Sequence, residues 1–288
     1  MTDDQPLVSI GLPLYNEEKT LQRALDSLLE QDYGNLEIVI SDNASADRTA
    51  EICAGYLSDS RVRYHRNERN VGGIENFNRV FTLSRGEFFM WASGHDVRHP
   101  SFTARALEIM RGDESVVLCH SQVLWTDADG GAPEPIPSFI DTRGMAQEIA
   151  RLNVVLWGLV TGYPIYGLIR SSALRKTDVY REVVSPDITL LAELALLGEF
   201  AFIPEPMLSA PRPADNWQIY VQKHVNKSLS TWSAQMLYWR MVGELCRATR
   251  SHPRRLRHKT VGTASVLLCM LTKYHWMLTG MLSLKKRA

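Results

Sequence analysis

The sequence predicts an α/β protein: an open, mostly parallel sheet with helices on both faces, followed by a basic helical extension. Three observations predict it. Short apolar runs alternate with amphipathic stretches through the first hundred residues. Polar residues gather just after each apolar run, where open sheets present ligands at the carboxyl ends of their strands. The charge is also divided. Residues 217–288 hold thirteen Lys/Arg and one acid, Glu244, for a net +12, so residues 1–216 carry −12.

The elements follow in order. LVSIGLPLY (7–15) is an apolar run ending in Pro and Asn, as a buried parallel strand reads. EEKTLQRALDSLLEQ (17–31) sets Leu21, Ala24, Leu25, Leu28 and Leu29 on one helical face. The pattern repeats with strands over 36–42, 62–67 and 87–93 and helices over 45–57 and 74–84. VVLCHSQVLW (116–125) and PIYGLIR (164–170) read as strands, and ITLLAELALLG (188–198) as a helix closed by Gly198. Beyond Pro213 the composition shifts to a long helix over 217–250, a basic break HPRRLRHK, and a second, more apolar helix over 261–287. The reading divides the chain into a ligand-binding domain, 1–213, and a basic helical extension, 214–288.

A chain of 288 residues with 45% apolar and 22% charged composition is ordinary for a globular protein. Cys53, Cys119, Cys246 and Cys269 form no C-x-x-C pair, so neither a disulfide framework nor a zinc cluster is suggested. The acidic MTDDQP opening runs straight into a strand, unlike a signal peptide, which predicts a cytoplasmic location. The basic tail lacks any helix-turn-helix, RNA-binding or zinc-finger signature, so nucleic acid is disfavoured as partner.

The strand ends carry the chemistry. Asp42, at the tip of the second strand beside the first strand's loop, suits a nucleoside base N–H or ribose hydroxyl. The alternative is that Asp42, Asn43 and Ser45 cap the following helix. No G-x-G-x-x-G occupies the first turn and no Walker A sequence occurs, which disfavours dinucleotide and P-loop sites.

LVSIGLPLYNEEKTLQRALDSLLEQDYGNLEIVISDNASADRT resembles the opening of the family 2 glycosyltransferases, inverting enzymes of the GT-A fold. The resemblance continues through RVRYHRNERNVGGIENFN and GEFFMWASGHDVRHPSF, resumes at SPDITLLAELALLGEFAFIPEPM (185–207), and fades in the long helices. It implies a Rossmann-like, mostly parallel central sheet with flanking helices. It implies that Pro13, Leu14, Tyr15 and Asn16, followed by Glu17, lie against the nucleotide base. Asp42 and Asn43 would meet base or ribose, and Asn70 and Gly72 would form a turn beside the nucleotide, with Asn76 on the next helix. Asp96 would hold Mn²⁺ or Mg²⁺ against the diphosphate, and Asp187 would be the general base. The implied donor is a nucleoside-diphosphate sugar, a UDP-sugar above all. The implied acceptor is a hydroxyl of a glycan or lipid-linked glycan.

The chemistry fits those roles. A divalent cation neutralises charge developing on a diphosphate leaving group. A base on the opposite face of the sugar deprotonates the incoming hydroxyl, and direct displacement gives inversion. Asp187 also precedes an apolar-periodic run, where a helix N-cap is the alternative.

WASGHDVRHP departs from the family pattern, which has an acid two residues before Asp96 where this chain has Gly94. Three readings stand. Asp96 holds the metal with diphosphate oxygens and water, since Mg²⁺ commonly uses one or two carboxylates. His95, beside the nucleotide, adds a ligand and tilts the preference to Mn²⁺. Or the protein is a non-catalytic nucleotide- or glycan-binding module of the same fold. Tyr163, Tyr166 and Arg170 flank the segment expected to face the acceptor, and Arg212 stands where related enzymes place a basic residue near the diphosphate.

Residues 250–259 carry five permanent cations and no acid. A helix from Val261 to Leu284 would be about 36 Å long, enough to cross a bilayer. Lys273 near its middle opposes a span by roughly 2.5–3.5 kcal/mol. Tyr274, Trp276 and the flanking cations suit a helix lying on an anionic membrane surface, peripheral at the inner face. The alternative is a helical pair that packs on the catalytic domain or forms a homodimer.

Overall fold

The computed structural model describes residues 5–127, 132–212, 231–251 and 256–275. The first third is built as the alternating pattern predicts: β1 (Val8–Leu14), α1 (Leu21–Leu29), β2 (Leu36–Asp42), α2 (Thr49–Ala54), β3 (Val62–Arg66), α3 (Gly73–Leu83) and β4 (Phe88–Trp91). These four strands are parallel, in the order β3-β2-β1-β4. β2 and β4 are buried along their whole length and β1 along nearly all of it, which is why they read as continuous apolar runs.

The second part is mixed. It comprises β5 (Val97–Arg98), α4 (Phe102–Gly112), β6 (Val116–Thr126), β7 (Glu134–Pro135), α5 (Glu148–Gly158), β8 (Leu168–Arg170), α6 (Ser171–Leu174), α7 (Pro186–Leu197) and β9 (Glu199–Pro211). β8 runs antiparallel between β4 and β6, and β9 lies parallel to β6 with β5 antiparallel at its outer edge. The strand expected over 164–170 is half a 3-10 turn, Tyr163–Tyr166, because Pro164 offers no ladder donor and starts the turn instead. α4 and α5 were not expected from the periodicity. In α5 the charged Glu148 and Arg151 face inward, and Arg151 donates to the carbonyls of Met145, Ala195 and Leu196, so burial does not follow polarity.

Side chains alternate across the sheet. Phe88 and Met90 point to one face, under Leu21, Leu25 and Leu28 of α1 and Phe102 and Met110 of α4. Phe89 and Trp91 point to the other, under α3, α5 and α7. That second core also takes in the last two helices, α8 (Thr231–Ser251) and α9 (Leu256–Thr272). Tyr238, Met241 and Leu245 of α8 and Val266, Cys269 and Met270 of α9 are buried in it.

This hairpin is tied on by polar contacts too. The Lys273 ammonium donates to the carbonyls of Leu156, Trp157 and Leu159 at 3.0, 2.6 and 2.6 Å, satisfying the open end of α5. Tyr274, expected to suit a membrane interface, is 3% exposed and donates to Leu156 O. Arg181 pairs with Asp178 and Glu193 at 2.6 Å and with Glu244 at 3.6 Å, and Arg247 joins Asp178 and Glu244. The single acid of the basic tail thus binds α8 to α7. Among the described residues no helix is long and apolar enough to cross a membrane. Residues 276–288, which complete the expected second helix, lie outside the described residues, as does Trp217.

Candidate active site

The carboxyl ends of β1, β2 and β3 form one rim. Two facing loops shape it, and each contains a left-handed residue, Asn16 with φ 57° and Ala44 with φ 58°. Asn16 accepts from Ala46 N through its side chain while its own N–H donates to Ser45 Oγ, so the β1 and β2 loops brace each other. Tyr15, beside them, is 48% exposed and offers its ring to a ligand.

Behind the rim lies a network of amides. Asn43 donates to Asn70 Oδ1 and Gly72 O, and accepts from Asn67 and Val71 N. Asn76, on α3, accepts from Ser41 Oγ and donates to Ser41 O. Four sequence-predicted residues, Asn43, Asn70, Gly72 and Asn76, therefore form one unit. Asn67 completes it, with its Oδ1 buried and unpartnered. It was read as the end of a strand, and its position at a strand's carboxyl end was the signal that could have found it. Asp42 is fully buried. Its Oδ1 accepts from Ser45 N and its Oδ2 from Tyr64 OH, so it faces protein donors and holds the second loop from below. α2 begins only at Thr49, so Asp42, Asn43 and Ser45 shape the loop and do not cap that helix.

The loop after β4 brings Glu17, His95 and Asp96 together. A β-carbon on Gly94 would stand 2.8 Å from Leu14 Cδ2 and 2.9 Å from Glu17 Cγ, so Glu17 fills the space where a side chain at 94 would project. Its carboxylate meets His95 Nδ1 at 3.1 Å. His95 Nε2 faces Ser93 Oγ at 2.8 Å and Asp96 Oδ1 at 3.9 Å. Asp96 Oδ1 is buried with no hydrogen-bond partner. Burial pushes the Asp96 carboxyl up to about 6, against the opposing pull of His95 and Arg98. Burial pulls His95 down, but Glu17 and Asp96 outweigh it and its pKa is raised. Arg98 is itself buried. It donates to Tyr166 O at 2.8 Å and lies 4.4 Å over the Phe102 ring, and desolvation lowers its pKa to about 10.

Asp187 sits in the first turn of α7, after the N-cap Ser185. Its Oδ1 is buried and unpartnered, and desolvation raises its pKa against the pull of the Ile188 N–H. The segment between α5 and the 3-10 turn covers it: a β-carbon on Gly162 would lie 1.7 Å from Asp187 Oδ2. Tyr163, next in sequence, has its phenol raised to about 12 by burial and by the Asp96 charge. One short segment thus lies against Asp187 and within the field of Asp96. Sequence reasoning did not single out Gly162 or Arg98, because a lone Gly or Arg carries no spacing signal.

The structure places Arg170 away from this rim and gives Arg212 carboxylate partners at the end of β9, the strand that pairs with β5 beside Asp96. Arg170 begins from the opposite end of β4, where it pairs with Phe88, and donates to the carbonyls of Val116, Met110 and Asp113. It closes the end of α4. Arg212 is held by Asp127 and Glu134 at 2.6 Å each, over the Trp125 ring. Tyr166 stands beside Tyr163, ring centroids 6.0 Å apart, with its carbonyl on Arg98. No group of three or more His, Cys, Asp or Glu among the described residues could hold a metal ion. The unpartnered Asp96 oxygen fits a cation that takes its remaining ligands from a diphosphate and water.

Residues 9–178 match the family model described as Glycosyl transferase family 2. The chain is 26% identical over 125 residues to glycosyltransferase GlyG of Streptococcus pneumoniae, covering 43% of this chain and 42% of that protein. It is 28% identical over 130 residues to an uncharacterized glycosyltransferase of Methanocaldococcus jannaschii, covering 44% and 45%. The matched segment spans less than half the length of these curated relatives. Among solved structures, S. aureus TarS 1-349 in complex with UDP-GlcNAc superposes with a TM-score of 0.68 at 18% identity, covering 93% of this chain and 74% of that one. Mannosyltransferase PcManGT from Pyrobaculum calidifontis, in complex with GDP-Man and Mn²⁺, gives 0.56 at 13% identity, covering 97% and 85%.

Proposed function

The chain belongs to glycosyl transferase family 2 and has the GT-A fold, and on that footing we propose that it moves a sugar from a nucleoside diphosphate to a hydroxyl of a glycan or lipid-linked glycan, with inversion. One observation carries the reading. Two acids, the buried Asp96 and the half-buried Asp187, each keep a buried carboxylate oxygen with no partner, and the Gly162–Tyr163 segment lies against Asp187 and within the field of Asp96. Buried, unpartnered carboxylates are costly unless a ligand uses them.

In this reading Pro13, Leu14, Tyr15, Asn16 and Glu17, with Asn43, Asn70, Gly72 and Asn76, build the nucleotide wall, and Asp42 fixes the loop that supports it. UDP is the preferred nucleotide, since TarS is solved with UDP-GlcNAc. Asp96 would hold Mn²⁺ or Mg²⁺, which supplies charge neutralisation at the diphosphate. Asp187 accepts the acceptor hydroxyl's proton, and burial, by raising its pKa, makes it the stronger base. Single displacement with one base and no protein nucleophile gives inversion. Tyr163 and Tyr166 offer rings for the acceptor sugar. The basic tail supplies attraction to an anionic leaflet, where a lipid-linked acceptor resides, at about 1 kcal/mol per cation.

The test is thermal stabilisation of the full chain by a panel of nucleoside diphosphates with Mn²⁺ or Mg²⁺, together with donor hydrolysis. UDP with metal should raise Tm, and Asp187→Asn should abolish turnover while keeping that rise. Loss of both in Asp187→Asn would make Asp187 structural. Nucleotide binding with no turnover on any acceptor would favour a non-catalytic module.

A further inference from the structure

We propose that His95, oriented by Glu17, takes the ligand role that an acid at position 94 would have played, so that the cation site of this chain is an imidazole–carboxylate pair, His95 Nε2 with Asp96 Oδ1. The inference rests on the glycosyltransferase reading above and specifies its metal site.

The sterics come first. A side chain at position 94 would displace its neighbours, because Leu14 Cδ2 and Glu17 Cγ stand 2.8 and 2.9 Å from where its β-carbon would be. The Glu17 side chain occupies that volume. It does not reach toward Asp96; it turns to His95 Nδ1, with its two oxygens at 3.1 and 3.3 Å. A carboxylate accepts only, so Nδ1 carries a proton, and in the neutral ring Nε2 holds the lone pair. This is the carboxylate–histidine arrangement that fixes ring orientation and strengthens a metal-bound imidazole.

The second ligand is in place. Nε2 lies 3.9 Å from Asp96 Oδ1. With metal–ligand distances of about 2.0–2.2 Å, two donors on one ion stand between about 2.9 Å at a right angle and about 4.2 Å in opposition, so the observed separation accepts one ion between them. Asp96 is 7% exposed and that oxygen has no partner in the protein. The His95 side chain, 44% exposed, forms the outer lip. Its Nε2 is met here by the Ser93 hydroxyl at 2.8 Å, a contact the ion would replace.

An imidazole in place of a carboxylate changes which ion is held. Mg²⁺ takes hard oxygen donors, whereas Mn²⁺ and later first-row ions accept nitrogen. The site should therefore discriminate for Mn²⁺ over Mg²⁺ more strongly than two carboxylates would. Glu17 is a positioning residue here: it touches the imidazole and acts through it.

The experiment measures metal binding, not turnover. Mn²⁺ affinity is read by the electron paramagnetic resonance signal of free Mn²⁺, and Mg²⁺ affinity by calorimetry, on the full chain with saturating UDP. Parent, His95→Ala, Glu17→Gln and Gly94→Ala are compared. His95→Ala should weaken Mn²⁺ at least tenfold and Mg²⁺ less than threefold. Glu17→Gln should weaken Mn²⁺ about tenfold, within the 10–100-fold range for such outer partners, and Mg²⁺ less than threefold. Gly94→Ala touches neither ligand, and by pushing Glu17 aside it should reproduce the Glu17→Gln loss. Mn²⁺ binding to UDP-loaded protein that is unchanged in these variants, or Mn²⁺ and Mg²⁺ falling together, would overturn the inference and leave the glycosyltransferase reading standing. Failure of the parent to bind any nucleoside diphosphate with either metal would overturn both.

Discussion

Gly162 and Asp187 share one space: a β-carbon on the glycine would lie 1.7 Å from the carboxylate oxygen of the acid. Gly162→Ala must therefore displace either the loop or the carboxylate. Because the nucleotide wall is built from other loops, the expected result is a loss of turnover of roughly 100-fold, the scale of a misplaced reacting group, with UDP affinity within twofold. Steady-state kinetics beside a nucleotide titration checks this. Equal losses in both would show that the loop serves the nucleotide instead.

His120 gives a pH dependence of stability. It is buried on β6, bonded to Ile140 O at 2.7 Å, and desolvation lowers its pKa to about 4. The unfolded chain takes up a proton near the ordinary value, so the unfolded state binds more protons between pH 6.5 and 4. Stability from this group is complete above 6.5 and falls as pH drops, by up to about 3 kcal/mol at 1.36 kcal/mol per unit. Asp96, raised to about 6, works in the opposite sense, its contribution falling as pH rises from about 4 to 6. The check is urea unfolding of parent and His120→Gln from pH 4 to 7.5. The gap between them should shrink as pH falls, and a constant gap would refute it.

Arg181 holds Glu193 and Asp178 at 2.6 Å with its side chain 10% exposed. Burial raises the Glu193 carboxyl and Arg181 opposes that rise. Arg181→Met strands an acid in a nearly dry site, a change that costs about 3–5 kcal/mol for buried pairs. Arg181→Met with Glu193→Leu should recover much of it. Denaturant midpoints of the three proteins decide.

The α8–α9 hairpin supplies Tyr238, Met241, Leu245, Val266 and Met270 to the core over α5 and α7. A chain ending at Pro213 should therefore aggregate or bind hydrophobic dye, whatever its lipid affinity. Membrane attachment is better tested with charge reversal at Arg254, Arg255 and Arg257 in the full chain. Co-sedimentation with anionic vesicles should fall by at least about 1 kcal/mol for each cation reversed. Equal sedimentation of both chains would sink the membrane proposal.

The parallel half of the sheet was legible because its strands are buried on both faces and its helices are amphipathic, so period and polarity agree. The amide network was legible as positions after strands, although its mutual bonding was not. The antiparallel half was harder. Pro164 turns an apparent strand into a 3-10 turn, and Arg151 buries charge in α5 by finding three carbonyls. Arg170 drew attention as a cation, yet it is consumed by nearby carbonyls. Gly162 matters only through a contact 25 positions away, which no local pattern records.

Lys273 gives the C-terminal helices a mechanical meaning. Its ammonium grips the three carbonyls at the end of α5, and the chain leaving that end reaches Gly162 within four residues. The hairpin and the roof over Asp187 are thus geared together. The far end of the chain and the loop over Asp187 therefore share one anchor, so Lys273→Met should loosen both at once.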